Sequence, residues 1–291
     1  MKIPETIERY RGYLENERLL RPDTIRAYTS DLGGLNEFIE GRDVETVTLD
    51  DLRAYKRYLS EGGAQRATIR RKLGGLSTYF KWLKIEGVNH SVPTDGLTVP
   101  PRKRKEPRYL TVKELHTFLE TEPGISHMGD PVRDKCAFRL LVFTGLRRGE
   151  LLNLKIEDVN LEERVIVVRD TKSGDDRSIP FEDETLIQQL RAVIGERESG
   201  YIFTSSTGNQ WGYSSFAIVF KRHAVKCGLM GVTPHSLRHS YATHLARGGT
   251  QITELADLLG HKEIRTTRQY MHSSPETLRA AVKNHPLAGA S

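Results

Sequence analysis

The last third of the chain concentrates side chains whose types and order suit phosphodiester chemistry. The segment 235–239 reads HSLRH, the segment 259–261 reads LGH, and Tyr270 follows; earlier, the segment 144–150 reads TGLRRGE. Guanidinium groups bind phosphate oxygens bidentately, histidines exchange protons near neutral pH, and a tyrosine hydroxyl can attack phosphorus and remain attached as a covalent intermediate. No acidic cluster that could hold a catalytic magnesium accompanies them. The set therefore predicts phosphoryl transfer without a metal.

Length, charge and apolar content limit the class of protein. At 291 residues the chain is long enough for two domains, and 37% hydrophobic residues with a mean hydropathy of −0.50 indicate an ordinary soluble protein. No run of about twenty apolar residues could cross a membrane, and the first residues lack the apolar core of a signal peptide. We therefore expect a cytoplasmic, nucleoid-associated protein. A net charge of +6 and a pI of about 9.2 favour a polyanionic partner such as nucleic acid.

The cysteines and histidines do not form a recognisable metal motif. Cys136 and Cys227 are far apart in sequence and outside any CxxC pattern, which predicts two free, buried thiols in a reducing compartment. His235 and His239 have a spacing that could bind zinc on a helix, but no cysteine or carboxylate completes the set. We therefore expect neither a metal nor another cofactor, and a structural role for His239 and His244.

The first 92 residues are predicted to form a helical domain. Apolar residues at three- and four-residue spacing indicate four amphipathic helices, and Thr48 with Asp51 predicts the start of the third. Basic residues crowd the polar faces of the second and fourth helices: Arg21, Arg26, Arg66, Arg70, Arg71 and Lys72. These faces have two interpretations, a solvated charged surface or a surface that binds DNA phosphates, and the segment alone does not separate them.

Residues 93–107 are predicted to be a linker. They contain four prolines and no apolar periodicity, which is typical of extended segments between domains. Four consecutive basic residues lie between the prolines: Arg102, Lys103, Arg104 and Lys105. The basic run has the composition of a nuclear-import patch, but an extended basic linker also suits a protein that encircles a DNA duplex.

Residues 108–291 are predicted to form a second domain, mostly helical with a small β-sheet. Thr111 with Glu114 three residues later predicts a helix start. The β-branched run 164–168 predicts a strand, the polar residues 171–176 predict a turn, and residues 177–180 predict a return strand. The resulting hairpin carries Lys172 at or near its tip.

Together these motifs resemble the tyrosine site-specific recombinases, most closely the Xer and phage-integrase branch. The resemblance covers essentially the whole chain and is strongest at 144–150 and 235–272, where residues 260–272 read GHKEIRTTRQYMH. The segment 22–28, PDTIRAY, is similar to the second helix of the family's core-binding domain. The resemblance implies a helical, SAM-like core-binding domain and a mixed α/β catalytic domain that form a C-shaped DNA clamp.

Carried over position by position, the resemblance implies six catalytic residues: Arg147, Lys172, His235, Arg238, His261 and Tyr270. Arg147, Arg238 and His235 would stabilise negative charge on the non-bridging phosphate oxygens. Lys172 would protonate the leaving 5′ oxygen, and Tyr270 would be the nucleophile. Because a free tyrosine has a pKa of about 10, Tyr270 needs a base, for which we expect His261 on the same short segment.

The same resemblance implies a course of reaction and an assembly. DNA would be cut and rejoined through a 3′-phosphotyrosyl intermediate and a Holliday junction, without metal or ATP, by four protomers on two DNA sites. From its residues alone, the segment 275–282 can form a short tail helix that packs on its own domain. The resemblance implies instead that this helix docks into a neighbouring subunit.

Two alternative functions stay open beside recombination. One is a type IB topoisomerase-like enzyme, and the other is a binding-only regulator that keeps the fold without catalysis. For a recombinase, the biological role is either chromosome-dimer resolution or integration and excision of a mobile element. The absence of a further arm-binding domain in this sequence favours a simple Xer-like protein.

Overall fold

The structure, a computed structural model, describes residues 1–89, 91–100, 108–124, 130–169, 176–261 and 263–270. The chain divides into two compact units, within residues 1–105 and 106–291. The domain boundaries after residue 92 and before residue 108 stay predictions. Three predicted features lie outside the described residues: the basic run Arg102–Lys105, the hairpin tip with Lys172, and the tail helix at 275–282.

Four α-helices form the described part of the amino-terminal unit, as the apolar spacing predicts. They are α1 (Ile3–Gly12), α2 (Pro22–Phe38), α3 (Leu49–Glu61) and α4 (Arg66–Ile85). α1 continues into a π-helical turn at Tyr13–Glu17, and a 3-10 turn at Val44–Thr46 precedes α3. The predicted cap of α3 is confirmed: Thr48 Oγ1 accepts the Asp51 amide at 3.2 Å, and Asp51 Oδ2 accepts the Thr48 amide at 2.8 Å.

The core of this unit is rich in aromatic side chains from α1 and α4. Tyr10 packs edge-on against Tyr79 with ring centroids 5.1 Å apart, and its centroid lies 5.2 Å from that of Trp82. Leu32 and Leu35 of α2 are buried in the same core. Large aromatic side chains bury much apolar area, and their contacts hold α1, α2 and α4 together.

The carboxyl-terminal unit is also mostly helical. Its helices within the described ranges are α5 (Val112–Glu120), α6 (Pro131–Thr144), α7 (Arg148–Asn153), α8 (Glu184–Ile194), α9 (Tyr213–Lys226), α10 (Pro234–Arg247), α11 (Ile252–Leu259) and α12 (Ile264–Thr267). 3-10 turns lie at Ile156–Asp158 and Arg268–Tyr270. The predicted start of α5 is confirmed, because Thr111 Oγ1 accepts the Glu114 amide at 3.2 Å.

A small antiparallel sheet lies in the described part of this unit, in the order β1 (Val159–Asn160), β2 (Val165–Val168) and β3 (Arg177–Pro180). β2 and β3 are the predicted hairpin strands, and their pairing runs from Val165 with Pro180 to Val168 with Arg177. β2 begins one residue later than predicted because Arg164 has a φ of +57°, outside the extended region. β1 was not predicted, since two residues are too few for an alternating pattern.

α6 lies at the centre of the apolar core of this unit. It packs against α8 and α10, and its residues Phe138, Leu140 and Leu141 are all buried. Cys136 is buried in this core and Cys227 is half-buried, and both are free thiols. Within the described ranges, every helix is too short or too polar to cross a bilayer.

Candidate active site

α10 carries the predicted pair His235 and Arg238 and places a third side chain beside them. The helix begins after Thr233, whose Oγ1 accepts the Ser236 amide at 3.3 Å. His235 lies in the first turn and is exposed, whereas Arg238 and His239 are 2% and 6% exposed. The rings of His235 and His239 are nearly perpendicular, with centroids 4.3 Å apart. The first two turns of α10 therefore place two histidines and a buried arginine together.

Arg238 is fixed by main-chain carbonyl groups at the ends of two other helices. Its Nη1 donates to the Gly145 carbonyl at 2.7 Å, after α6, and its Nη2 donates to the Leu259 carbonyl, at the end of α11. Burial, followed by the charge of Arg147, lowers the pKa of Arg238 to about 10, so the group stays cationic at neutral pH. This cation is held in place before any ligand binds, which is the condition for electrostatic preorganisation.

Two glycines shape the loops that meet Arg238. Gly145 and Gly260 both have a left-handed backbone, with φ of +61°. A Cβ atom at Gly145 would lie 2.4 Å from Cδ1 of Tyr241, and one at Gly260 would lie 2.8 Å from Nη1 of Arg177. Glycine therefore allows both loops to approach the site closely.

Arg147 precedes α7 and is held by Glu150 one helical turn later. Glu150 Oε2 accepts the Arg147 amide at 2.7 Å, and Arg147 Nη1 donates to Glu150 Oε1 at 2.6 Å. Arg147 Nη2 also donates to the Gly260 carbonyl at 3.2 Å. The Arg147 side chain keeps 45% of its surface exposed. Glu150 and the Gly260 carbonyl thus fix the orientation of the Arg147 side chain, while its guanidinium stays accessible to an anion.

Arg177 of β3 belongs to this cluster, although no sequence motif predicted it as a site residue. Its Nη2 donates to Glu150 Oε2 at 2.7 Å, its Nη1 to Glu150 Oε1 at 3.2 Å, and its Nε to the Leu258 carbonyl at 3.1 Å. Burial would raise the pKa of Glu150, but the hydrogen bonds and charge of Arg177, with those of Arg147, lower it to about 2. Glu150 is therefore ionised at neutral pH and is shared by two arginines from separate segments.

His261 follows Gly260 and lies against Arg238. Its Nε2 is 3.3 Å from Arg238 Nη2, and its Nδ1 is 2.9 Å from Thr267 Oγ1. Burial, then Arg238 and Arg147, lowers the pKa of His261 to about 4, so the ring is uncharged at neutral pH. Both ring nitrogens have partners, and neither partner is the Tyr270 hydroxyl.

Tyr270 lies at the end of the segment formed by α12 and the last 3-10 turn. It is only 6% exposed and belongs to an apolar cluster with Leu255 and Leu259 of α11. Its hydroxyl is 2.8 Å from Nδ1 of His239. The nucleophile predicted from sequence thus contacts His239, for which the sequence predicted only a structural role.

The sequence did contain a signal for His239, its four-residue spacing from His235 on α10. A four-residue spacing of histidines on a helix is also typical of metal binding, and by itself it does not indicate a contact with a tyrosine. Among the described residues, no group of three or more histidine, cysteine, aspartate and glutamate side chains is arranged to hold a metal ion. The pairing of His239 with Tyr270 spans 31 residues, and no local pattern reports a contact at that separation.

In the amino-terminal unit, two of the predicted DNA-binding residues bind a buried carboxylate. Arg71 of α4 pairs with both carboxylate oxygens of Asp31 on α2, with one contact at 2.9 Å, and Lys72 Nζ donates to Asp31 Oδ1 at 3.1 Å. The Asp31 side chain is 2% exposed. These two cations therefore join α2 to α4.

The other predicted DNA-binding residues of this unit are less constrained. Arg70 donates to a main-chain carbonyl at 3.1 Å, and Arg26 forms an exposed ion pair with Asp23 at 3.3 Å. Arg21 and Arg66 are exposed. The structure thus separates the predicted basic residues into two that join α2 to α4 through Asp31 and four that do not bind this carboxylate.

Comparison with known proteins agrees with this arrangement. Residues 108–277 match the phage integrase family, and residues 7–87 match its N-terminal SAM-like domain. The chain is 32% identical to the tyrosine recombinase XerC of Roseiflexus castenholzii, over 94% of this chain and 90% of that protein. It is 29% identical to the tyrosine recombinase XerD of Staphylococcus saprophyticus, over 97% of this chain and 99% of that protein.

A solved structure has the same fold. The Tn1549 transposon integrase, in complex with a circular intermediate DNA, superposes with a TM-score of 0.78, covering 97% of this chain and 99% of that chain at 22% identity.

The chain therefore belongs to the phage integrase family. It is a tyrosine recombinase, an enzyme of site-specific DNA recombination. The resemblance and the fold class predicted from the sequence, mostly helical with a small sheet, are confirmed. The comparisons favour recombination over the topoisomerase-like and binding-only alternatives.

Proposed function

We propose that the chain cuts and rejoins DNA through a covalent bond between Tyr270 and a 3′ phosphate. One observation carries this proposal: Arg147 and Arg238 meet around Glu150 and the Gly260 loop, next to the segment that ends in Tyr270. A phosphodiester is an anion, and two arginines held in place supply the donors and the charge that it requires.

Arg147, Arg238 and His235 stabilise the transition state. Arg147 and His235 are accessible to a phosphate, and Arg238 supplies a buried charge beside them. His261 lies against Arg238 and completes the same pocket. Removal of one such donor from a preorganised site slows the chemical step by about 10²- to 10³-fold.

Lys172 protonates the leaving 5′ oxygen. The support for this role is the family motif of the hairpin and the position of β3. Arg177, five positions after Lys172, begins β3 and binds Glu150. The chain therefore returns to the site directly after the predicted hairpin turn.

The partner of the chain is a double-stranded recombination site. A net charge of +6 and solvent-facing arginines such as Arg21 and Arg66 suit a polyanion. The related Tn1549 integrase and the XerH recombinase both have structures with DNA. A core-binding domain at 1–92, a basic linker at 93–107 and a catalytic domain at 108–291 would enclose the duplex.

The assembly is a homotetramer on two DNA sites, formed in the cytoplasm from monomers or dimers. The tail at 275–282 docks in trans into a neighbouring protomer. We favour an Xer-like role in resolving joined chromosomes over integration and excision of a mobile element, because relatives named XerC and XerD match over nearly the whole chain.

The test is covalent trapping. DNA fragments that the protein selects from a genomic pool are sequenced, and the enriched site is rebuilt as a suicide duplex with a nick beside the cleavage point. The wild type and Tyr270→Phe are incubated with it in EDTA and resolved on a denaturing gel. A protein–DNA band in the wild type and its absence in Tyr270→Phe are expected. Binding without such a band would contradict the proposal.

A second assay separates recombination from relaxation. Two plasmid-borne copies of the site are incubated with the wild type, and exchange between them is scored together with superhelical density. Exchange is expected; relaxation without exchange would indicate the topoisomerase-like alternative.

A further inference from the structure

The Tyr270 hydroxyl has a hydrogen-bond partner that none of the family-derived assignments includes. Tyr270 Oη and His239 Nδ1 are 2.8 Å apart, and both side chains are 6% exposed. The base expected from sequence, His261, uses its Nδ1 on Thr267 Oγ1 and has its Nε2 against Arg238. Of the imidazole groups in the described residues, His239 is the one whose ring nitrogen contacts this hydroxyl.

Burial favours the uncharged form of both groups in this pair. Burial, then His235, Arg238 and His261, lowers the pKa of His239 to about 4, so the imidazole is neutral at neutral pH. Burial raises the pKa of Tyr270, so the phenol keeps its proton. In the tautomer with its hydrogen on Nε2, the neutral imidazole presents an unprotonated Nδ1 that can accept the hydrogen bond of the Tyr270 O–H.

We propose that His239 is the proton acceptor for Tyr270 in the cleavage step; this rests on the function proposed above. As Tyr270 Oη bonds to phosphorus, its proton passes to His239 Nδ1, the bond from phosphorus to the 5′ oxygen breaks, and the 5′ oxygen takes a proton from Lys172. In rejoining, the 5′ hydroxyl attacks, Lys172 takes its proton and His239 returns one to Tyr270. Protons and bonds balance in both directions.

The bound phosphate makes the transfer easier. Arg238 disfavours an imidazolium at His239 in the free protein, and the charges of Arg238 and Arg147 also act on the Tyr270 hydroxyl. A phosphodiester placed on those arginines adds negative charge beside them, which raises the proton affinity of His239. The acceptor thus becomes basic when substrate is present, and the free protein keeps a neutral pair.

The test compares His239→Asn with wild type in single-turnover cleavage of the suicide duplex from about pH 6 to about pH 9. The asparagine oxygen can accept a hydrogen bond near the Nδ1 position but cannot take up the proton. His244→Asn is the matched control: His244 lies on the same helix, but its Nε2 bonds to the Leu110 carbonyl at 2.8 Å.

The expected results are specific. The wild type and His244→Asn should cleave at rates nearly independent of pH in this range. His239→Asn should be about 100-fold slower or more at neutral pH. Its rate should also rise nearly tenfold per pH unit, because hydroxide must then form the phenolate. A wild-type rate for His239→Asn, or a slow rate with an unchanged pH profile, would overturn the proposal.

Two further measurements keep the result interpretable. In His239→Ala, added imidazole should restore cleavage in a saturable way; no restoration in a variant that still binds DNA would count against proton transfer. A substrate with sulfur in place of the bridging 5′ oxygen, whose leaving group needs no proton, should leave the His239→Asn defect intact. If this substrate restored the rate, His239 would act on the leaving group instead.

Failure of this proposal is distinguishable from failure of the proposed function. If the wild type formed no covalent complex, or Tyr270→Phe still formed one, the proposed function would fail. If the wild type formed the complex through Tyr270 and His239→Asn matched it at every pH, only the role of His239 would fail.

Discussion

In each of the two units a carboxylate binds two basic side chains, and the two carboxylates have different roles. Asp31 is buried, and Glu150 is half-buried. Asp31 in the amino-terminal unit binds Arg71 and Lys72, which are neighbours on α4. Glu150 in the carboxyl-terminal unit binds Arg147 and Arg177, which come from different segments. The first arrangement joins two helices, whereas the second brings distant parts of the chain to one point.

The difference shows that basic side chains bound to a carboxylate can either stabilise the fold or remain available to bind a ligand. Around Glu150, Arg177 is 13% exposed and Arg147 is 45% exposed, so one arginine supports the carboxylate and the other faces outward. Around Asp31, Lys72 is 21% exposed and Arg71 is 46% exposed, but both cations lie on the same helix. A carboxylate that organises several segments controls the geometry of a site, and removing it should affect chemistry more than affinity.

The largest effect should come from Glu150→Gln. The substitution leaves the largely buried side chain of Arg177, which is 13% exposed, without its counter-charge, which costs about 3 kcal/mol of folding stability. It also releases Arg147 from its fixed orientation, so cleavage should fall by about 100-fold or more. Urea unfolding and single-turnover cleavage of the suicide duplex measure the two effects.

The control for this change is Glu120→Gln, because Glu120 is 78% exposed at the end of α5. It should alter neither property. Full cleavage activity in Glu150→Gln would contradict the view that this carboxylate orients the arginines.

Glu150 should also make the free energy of unfolding of the wild type depend on pH under acid conditions. Its pKa in the folded protein is about 2, below the usual value of 4.5, so its contribution is fully present above about pH 5. Stability should therefore fall as the pH decreases from about 5 toward 2, by a few kcal/mol at most. Urea midpoints measured across this range should fall less steeply in Glu150→Gln. Parallel curves for the two proteins would show that Glu150 is not the group responsible.

Asp31→Asn should have an intermediate effect that is confined to stability and binding. Loss of the charged hydrogen bonds to Arg71 and Lys72 should cost about 1.5–3 kcal/mol. At saturating protein the first-order cleavage rate should stay within about twofold of wild type, because the catalytic cluster belongs to the other unit. Thermal unfolding and cleavage at saturating protein test this prediction. A large loss of the saturated cleavage rate would show that Asp31, like Glu150, affects the chemical step.

Sequence alone predicted the helices, the hairpin strands and the types of side chain in the site: arginines, histidines and a tyrosine. These features depend on local periodicity and on motifs of adjacent residues. The sequence did not predict Arg177 or His239 as site members. Their partners, Glu150 and Tyr270, are 27 and 31 residues away, and contacts at that separation depend on packing. For the same reason the sequence could not show that Arg71 binds Asp31.

The smallest effects should come from alanine substitutions of two arginines of α4. They test whether the cations bound to Asp31 serve the fold and not the DNA. Arg66 is exposed at the start of the helix, whereas Arg71 binds Asp31. If Arg66 contacts a phosphate, Arg66→Ala should weaken DNA binding several-fold and reduce the slope of log Kd against log salt by about 1. Arg71→Ala should instead lower the urea midpoint and leave that slope unchanged, because its guanidinium is already neutralised by a carboxylate. Equal salt slopes in the two variants would mean that DNA draws Arg71 away from Asp31, and the carboxylate would then hold its cations only until the duplex binds.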